Sequence, residues 1–146
     1  MKVRGAVLPC ERRATIVPAR EVAPLPSRAT VFVVDDDPSM RTSLSRLLRA
    51  HGFVATLFDS ANALLDQGRF EEAICIVLDI NLDGKSGIEL RLRLAGQGVV
   101  APVIYITGND SAANHAAAIA SGCVAYLTKP FSAESLIASV MRASAA

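Results

Sequence analysis

No stretch of this chain is apolar for long enough to cross a bilayer. Nor does a charged start lead into an apolar segment of about 7–15 residues, the pattern of a secretory leader. Charge of one sign is not in excess. Fifteen Lys and Arg stand against fourteen Asp and Glu, a net of +1, which argues against a nucleic-acid or membrane-surface protein driven by bulk charge. Cysteine is scarce. Cys10, Cys75 and Cys123 are odd in number and lack CxxC or Cys/His spacing, so neither a disulfide framework nor a zinc site is expected. A reducing cytoplasm is the expected location, with no membrane contact. No internal repeat is visible, and Gly96 and Gly98 lack phosphate-loop spacing. His51 and His115 have no partner at metal-ligand spacing and read as surface residues.

Apolar residues are what the chain does have: 51% of its 146 residues, against 20% charged, enough to bury the core of one domain. Charge and proline divide it unevenly. Residues 1–29 hold four of the seven prolines and six basic side chains against Glu11 and Glu21, a net of +4. They show no sustained period and read as a flexible, basic, Pro-rich tail. Residues 30–146 hold nine basic and twelve acidic side chains, a net of −3, and read as the folded domain.

From Thr30 onward short apolar runs alternate with helical spacing. Val31–Val34, Phe53–Phe58, Ile74–Leu78, Pro102–Ile106 and Val124–Leu127 read as strands. The first is followed by Asp35-Asp36-Asp37-Pro38 and then by Met40, Leu44, Leu47 and Leu48 at helical spacing, with Pro38 suited to a first turn and Gly52 as the stop. Ser60 is placed to cap a short helix ending near Gly68, and Ser132 to cap a final helix carrying Leu136, Ile137, Val140 and Met141. Ile88, Leu90, Leu92 and Leu94 alternate as a strand would, but they also form i,i+4 pairs, and helix is the reading adopted. Ala112–Ala120 has high helix propensity and a thin apolar face, with Ile119 its one large residue, so weak packing is expected.

Five buried strands alternating with helices imply an α/β fold, a doubly wound parallel sheet covered on both faces. In such sheets the site lies beyond the carboxyl ends of the strands. The residues ending the first, third, fourth and fifth strands are Asp35-Asp36-Asp37, Asp79, Thr107 and Lys129, so acids, a hydroxyl and an ammonium converge on one edge. Two carboxylates about 5 Å apart repel by roughly 3 kcal/mol at an effective dielectric near 20. Such a cluster must raise its own pKa values or hold a cation. Lys129 brings one positive charge, and Mg²⁺, which prefers oxygen ligands, would bring two. A carboxylate kept ionised in this way can attack phosphorus and form an aspartyl phosphate.

The chain from Thr30 to its end resembles a response-regulator receiver domain of two-component signalling. The residues that carry the likeness are Val33-Val34-Asp35-Asp36-Asp37, Leu78-Asp79-Ile80-Asn81-Leu82 with Gly87 following, Ile106-Thr107-Gly108, and Tyr126-Leu127-Thr128-Lys129-Pro130-Phe131. The resemblance implies a flavodoxin-like sheet of order 2-1-3-4-5. It implies Asp79 as phosphoacceptor, Asp36 as direct Mg²⁺ ligand with Asp79 and the Asn81 carbonyl, and Asp35 acting through water. Thr107 would donate to a phosphoryl oxygen and Lys129 would pair with the phosphate across a cis Lys129–Pro130 bond. Tyr126 would be the switching aromatic, with Gly108 leaving room for the threonine to move. The side chains two after the acceptor and two after the threonine, Asn81 and Asn109, sit where the family tunes phosphate lifetime. The partners implied are a sensor histidine kinase or histidine phosphotransfer protein docking near Met40 on the first helix. An output protein or a second copy would dock on the fourth helix, fifth strand and fifth helix. One departure stands out: the family's usual proline four residues after the acceptor is Asp83 here, which suggests a looser loop over Asn81–Ser86 and an extra acid near the site.

Each feature alone has a plainer reading. Asp-Asp-Asp-Pro is a common helix-starting loop with Asp37 as cap. Asp79 alone can cap a loop, Thr107-Gly108 alone is a turn, and Lys129 alone is a solvated charge. Cys75 fits a small core position, and Cys123 a packed or partly exposed thiol. Only the joint position at one sheet edge points to chemistry. Three functions fit it. The first is a single-domain, phosphorylation-dependent switch that is not a turnover enzyme and touches no nucleic acid, since the chain stops at Ala146 just after the last helix. The second is the receiver half of a DNA-binding transcription regulator. The third is a Mg²⁺-dependent phosphatase with an aspartate nucleophile. That reading wants a general acid two residues after the nucleophile, where this chain has Asn81.

Overall fold

The computed structural model describes residues 29–67 and 69–145; the expected tail over 1–29 lies, but for Ala29, outside them. Strands β1 (Thr30–Val34), β2 (Val54–Phe58), β3 (Ala73–Asp79), β6 (Val103–Thr107) and β7 (Ala125–Thr128) form one sheet of order β2-β1-β3-β6-β7. Every pairing in it is parallel. Helices α1 (Pro38–Ala50), α2 (Ala61–Gln67), α3 (Gly87–Gly96) and α4 (Ala112–Ser121) connect the strands, and α5 (Ala133–Ala145) follows the last of them. Two strands of two residues, β4 (Asn81–Leu82) and β5 (Lys85–Ser86), form a separate antiparallel pair between β3 and α3.

The strand period of two divides the apolar residues between two cores. Val31, Val33, Cys75, Val77, Ile104 and Ile106 point to the face covered by α1 and α5, through Leu44, Leu48, Leu136 and Val140. Phe32, Val34, Ile76, Leu78 and Tyr105 point to the opposite face, where Leu64 of α2, Leu90 and Leu94 of α3 and Ala118 of α4 lie. The expectation of five buried strands holds only for the middle three. At one edge β2 leaves Val54 and Leu57 exposed, and at the other Ala125–Leu127 of β7 are half-buried. An edge strand has a neighbour on one side only, so its flanking helix covers it incompletely.

Helix boundaries follow the local chemistry. The Asp37 carboxylate accepts from the Ser39 N–H at 2.9 Å and Pro38 opens α1. Ser60 accepts from the Ala63 N–H at 3.1 Å, Ser86 from Glu89 at 3.2 Å and Ser132 from Ser135 at 3.0 Å. Ile88–Leu94 is helical, with Ile88, Leu90 and Leu94 buried and Leu92 turned out. Helix α4 packs more thinly than its one large side chain suggests. Ile119 is 59% exposed, and Ala118 is the residue that faces the core. A hydrogen-bonded link ties the end of this helix to the sheet: Tyr105 Oη lies 2.7 Å from Ser121 Oγ, which donates to the Ala118 carbonyl at 2.8 Å.

Gly87 couples the start of α3 to the end of β3. Its N–H donates to the Ile80 carbonyl at 2.7 Å. A Cβ at this position would collide with the Asp79 carbonyl oxygen, a main-chain atom that cannot swing away. Gly87→Ala is therefore expected to cost about 1–3 kcal/mol of stability in urea unfolding. Gly96→Ala, where a Cβ meets nothing within 4 Å, serves as the control in the same helix and should be neutral or slightly stabilising.

Candidate functional site

Parallel strands bring their carboxyl ends to one edge, and the side chains just past those ends meet there. Asp35 follows β1 and is fully buried, while Asp36 beside it is exposed. Asp79 ends β3 and Thr107 ends β6, both buried. Lys129 follows β7, and its main-chain N–H donates to the Thr107 carbonyl at 2.7 Å, which fixes where its side chain starts. The Lys129–Pro130 bond is cis, as the resemblance implies.

Lys129 Nζ donates to Asp35 Oδ2 at 3.0 Å and to Asp79 Oδ2 at 2.9 Å, bridging two strands. The other oxygens are held by main-chain donors: Asp35 Oδ1 by the Asp37 N–H at 2.9 Å and Asp79 Oδ1 by the Asn81 N–H at 3.0 Å. Arg41 Nη1 donates to the Asp35 carbonyl at 2.8 Å. Burial pushes the Asp79 carboxyl above its ordinary pKa. The Asn81 N–H and Lys129 oppose this in part, and the Asp35 charge adds to it. Burial alone would lower the Lys129 pKa, but its bonds to Asp79 and Asp35 outweigh burial and hold it above the usual lysine value.

Asp35, Asp36 and Asp79 each offer one carboxylate oxygen, all within 4.8 Å of one another. Three acids against one ammonium leave the cluster short of positive charge. The all-oxygen donor set suits a hard divalent cation, and receiver domains generally bind Mg²⁺ at such an acidic pocket. A cavity beside the cluster is lined by Asp36, Asp79, Asn81, Thr107, Gly108, Asn109 and Lys129. Thr107 Oγ1 accepts from the Asn109 N–H at 3.0 Å, which leaves the hydroxyl proton free to donate. A Cβ at Gly108 would make only an ordinary contact with the Lys129 chain at 3.9 Å, so nothing in this geometry requires glycine there.

The expected residues thus meet, with two exceptions. Tyr126 is outside the cavity: its hydroxyl donates to Asp110 Oδ1 at 2.9 Å and its ring lies 4.8 Å from that of exposed His115. Asp83 does not add an acid to the cluster. It sits exposed at the tip of the β4–β5 turn with φ of 52°, followed by Gly84 at 84°. The segment expected as a looser loop is instead a two-residue hairpin, whose left-handed first position a proline cannot occupy. An Asp-Gly pair is itself a hairpin signal, but strands of two residues are too short to show alternation. The Arg41 contact has no signal in the sequence. Neither has the bond from Asn114 Nδ2 to the Asn109 carbonyl at 2.9 Å, which ties α4 to the rim of the cavity.

Among the described residues no helix is long and apolar enough to cross a membrane. The sequence model of the response regulator receiver domain matches residues 31–141. Nodulation protein W of Bradyrhizobium diazoefficiens is 38% identical over 117 residues, which cover 80% of this chain and 52% of that protein. The transcriptional regulatory protein FixJ of the same organism is 37% identical over 114 residues, covering 78% and 56%. This chain therefore spans about half the length of these relatives. A crystal structure of FixJ-N superposes with a TM-score of 0.74 at 31% identity, covering 82% of this chain and 95% of that one. The response regulator StyR gives 0.74 at 37% identity, covering 80% and 59%. The sheet order, the acid edge and these likenesses agree, and the chain belongs to the response regulator receiver domain family of two-component systems.

Proposed function

We propose that this chain is a phosphorylation-dependent switch in which Asp79 accepts a phosphoryl group from a sensor histidine kinase or a histidine phosphotransfer protein. The observation that carries this reading is a buried carboxylate at the end of β3, bonded to Lys129 at 2.9 Å and opening on a cavity with Thr107. An Asp79 oxygen forms the new bond to phosphorus as the nitrogen–phosphorus bond of the donor histidine breaks. Lys129 moves its charge from the bare carboxylate to a phosphoryl oxygen, and Thr107 donates its free proton to another. Mg²⁺ would be held by Asp36, Asp79 and the Asn81 carbonyl, with Asp35 acting through water, and supplies countercharge to the transferring group. The protein is a phosphoacceptor that assists its own phosphorylation and dephosphorylation, not a turnover enzyme. Its place is the cytoplasm.

Output follows from what the new phosphate displaces. Drawing Thr107 toward the phosphate breaks its bond to the Asn109 N–H, and Asn109 in turn holds Asn114 of α4. Tyr126 then turns inward from Asp110, and thinly packed α4 shifts with it. Ile119 and Met141, 59% and 57% exposed, mark the face that an output protein or a second copy would cover. The kinase docks around Met40 on α1. A receiver half of a DNA-binding regulator is the second reading. Its support is that FixJ, of which the matched region covers 56%, is named a transcriptional regulatory protein. In that case nucleic-acid contact belongs to a part of the protein beyond the matched region.

The test is Mg²⁺-dependent incorporation of phosphoryl from acetyl phosphate, and then from candidate kinases, read by intact mass. Absence of incorporation from every donor would remove the reading. Amide exchange with and without beryllofluoride tests the switch. Protection is expected to change over residues 107–142, and an unchanged profile there counts against it.

A further inference from the structure

A second cavity lies at the amino ends of the strands, the opposite end of the sheet from Asp79. It measures about 600 Å³. Its walls are Leu65 of α2, Phe70 of the 3₁₀ turn Phe70–Glu72, Ala73 at the start of β3, and Val99, Val100 and Pro102 of the segment joining α3 to β6. Leu65, Phe70, Ala73 and Val99 are half-buried and pack against the core under α2, α3 and α4, so the cavity is an open end of that core. Val100 is 88% exposed, and Glu71, also exposed, adds a negative charge to the lining. The chain enters the sheet beside this opening. The Ala29 carbonyl accepts from the Val54 N–H at 2.9 Å, and Thr30 pairs with Ala73, itself a wall of the cavity. Whatever precedes Ala29 is therefore tethered one strand spacing, about 4.8 Å, from that wall.

We propose that this cavity is a docking site for the chain's own segment Val22-Ala23-Pro24-Leu25-Pro26, with Leu25 as the anchor. The segment is apolar throughout, as the cavity walls are. Five residues separate Leu25 from Thr30, a span of up to about 16 Å when extended, so Leu25 reaches across the opening without strain. A proline on each side of Leu25 favours extended backbone before docking, which lowers the entropy lost on docking. Charge agrees. Arg20 and Arg28 flank the segment, residues 1–29 carry a net of +4, and Glu71 lies in the lining. Size selects a tethered occupant over a second copy or a separate protein. A cavity of this volume accepts a few side chains, whereas a stable interface between proteins buries about 1,200 Å² or more. A segment already attached beside the opening needs no such area, because its tether supplies an effective concentration on the order of millimolar. The site makes no use of Asp79 or of its phosphorylation.

The experiment is NMR on the full chain with carbon-13 labels on the Leu and Val methyl groups. Nuclear Overhauser contacts are expected from the Leu25 methyls to the Phe70 ring and to the methyls of Val99 and Val100. Leu25→Asp should remove them and shift the methyl signals of Leu65 and Val99. A mixture of labelled and unlabelled chains separates contacts within one chain from contacts between two. Thermal melts supply a second reading. Leu25→Asp, and Val100→Lys at an exposed position that adds a charge repelled by the basic segment, should each lower Tm by about 2–4 °C. The two together should lower it no further than either alone, since both break the same contact. Absence of the Leu25 contacts, with cavity methyls that ignore Leu25→Asp, overturns the proposal and leaves the cavity to a separate partner. Contacts found only between labelled and unlabelled chains overturn it in favour of a second copy. Tm losses that add in the double variant overturn it as well.

Discussion

Replacing Asp79 with asparagine should erase phosphoryl incorporation altogether and at the same time make the resting protein harder to unfold. An amide offers no nucleophilic carboxylate, so the loss of label is complete rather than graded. The gain in stability has a separate origin. Asp79 is 5% exposed, and burial first, then the Asp35 charge, push its carboxyl above the usual value of 3.8 despite the Asn81 N–H and Lys129. A pKa raised by folding means that the protonated form is favoured in the native state. That contribution is present below the unfolded pKa and is lost as pH rises through the folded one. At neutral pH the ionised side chain is therefore a cost, which asparagine, of nearly the same shape, does not carry. In chelator-treated buffer the variant should gain about 1 kcal/mol, or about 3–5 °C in Tm. The gap should widen with pH from acid toward neutral. A variant that melts below the wild type at pH 7 would show that the Lys129 bond outweighs burial of the charge. Added Mg²⁺ should raise the wild-type midpoint and move the variant little, because one of the carboxylates that hold the ion is gone.

What the sequence makes legible here depends on how local each cause is. The strands at 31–34, 74–78 and 102–106 announce themselves because both faces of each are buried and every residue is apolar. The caps at Asp37, Ser60 and Ser132 need one side chain and a neighbouring N–H. The joining of Asp35, Asp79, Thr107 and Lys129 follows from the rule that parallel strands end on one edge, so residues 94 positions apart come within 3.0 Å. Three features escaped for physical reasons. Ile119 faces solvent because α4 contributes only alanine to the core, and hydropathy alone cannot say which side of an alanine helix turns inward. The hairpin at Asp83-Gly84 is set by two dihedral angles rather than by an apolar pattern. The Arg41 bond to the Asp35 carbonyl depends on a long side chain folding back over its own helix start.

Lys129→Met is expected to have the largest effect on stability of any single change at the site, and the effect should be reversible by a divalent cation. Methionine keeps the length and removes the charge. Asp35 is fully buried, and its Oδ2 has Lys129 as its partner; Asp79 Oδ2 is in the same position. Removing one member of a buried ion pair strands the other, at a cost of about 3–5 kcal/mol when solvent is excluded. The Lys129 side chain keeps 20% of its exposure, so the lower end of that range applies. The wild-type bond has its own pH signature. The Lys129 pKa is raised above 10.5 by its two carboxylate partners acting against burial. Its contribution is therefore complete below pH 10.5 and is lost as pH climbs through the folded value, so the gap between wild type and variant should close only in strong alkali. A Mg²⁺ ion at the same carboxylates replaces the missing charge. Because ammonium and ion draw on shared oxygens, removing one strengthens binding of the other. At equal Mg²⁺ the variant should recover more stability than the wild type gains. Equal gains would mean that Lys129 and the metal do not compete for Asp35 and Asp79. Phosphoryl incorporation should not recover with stability. It should stay about 100-fold down, because the ammonium that follows the transferring group is absent even when the fold is restored.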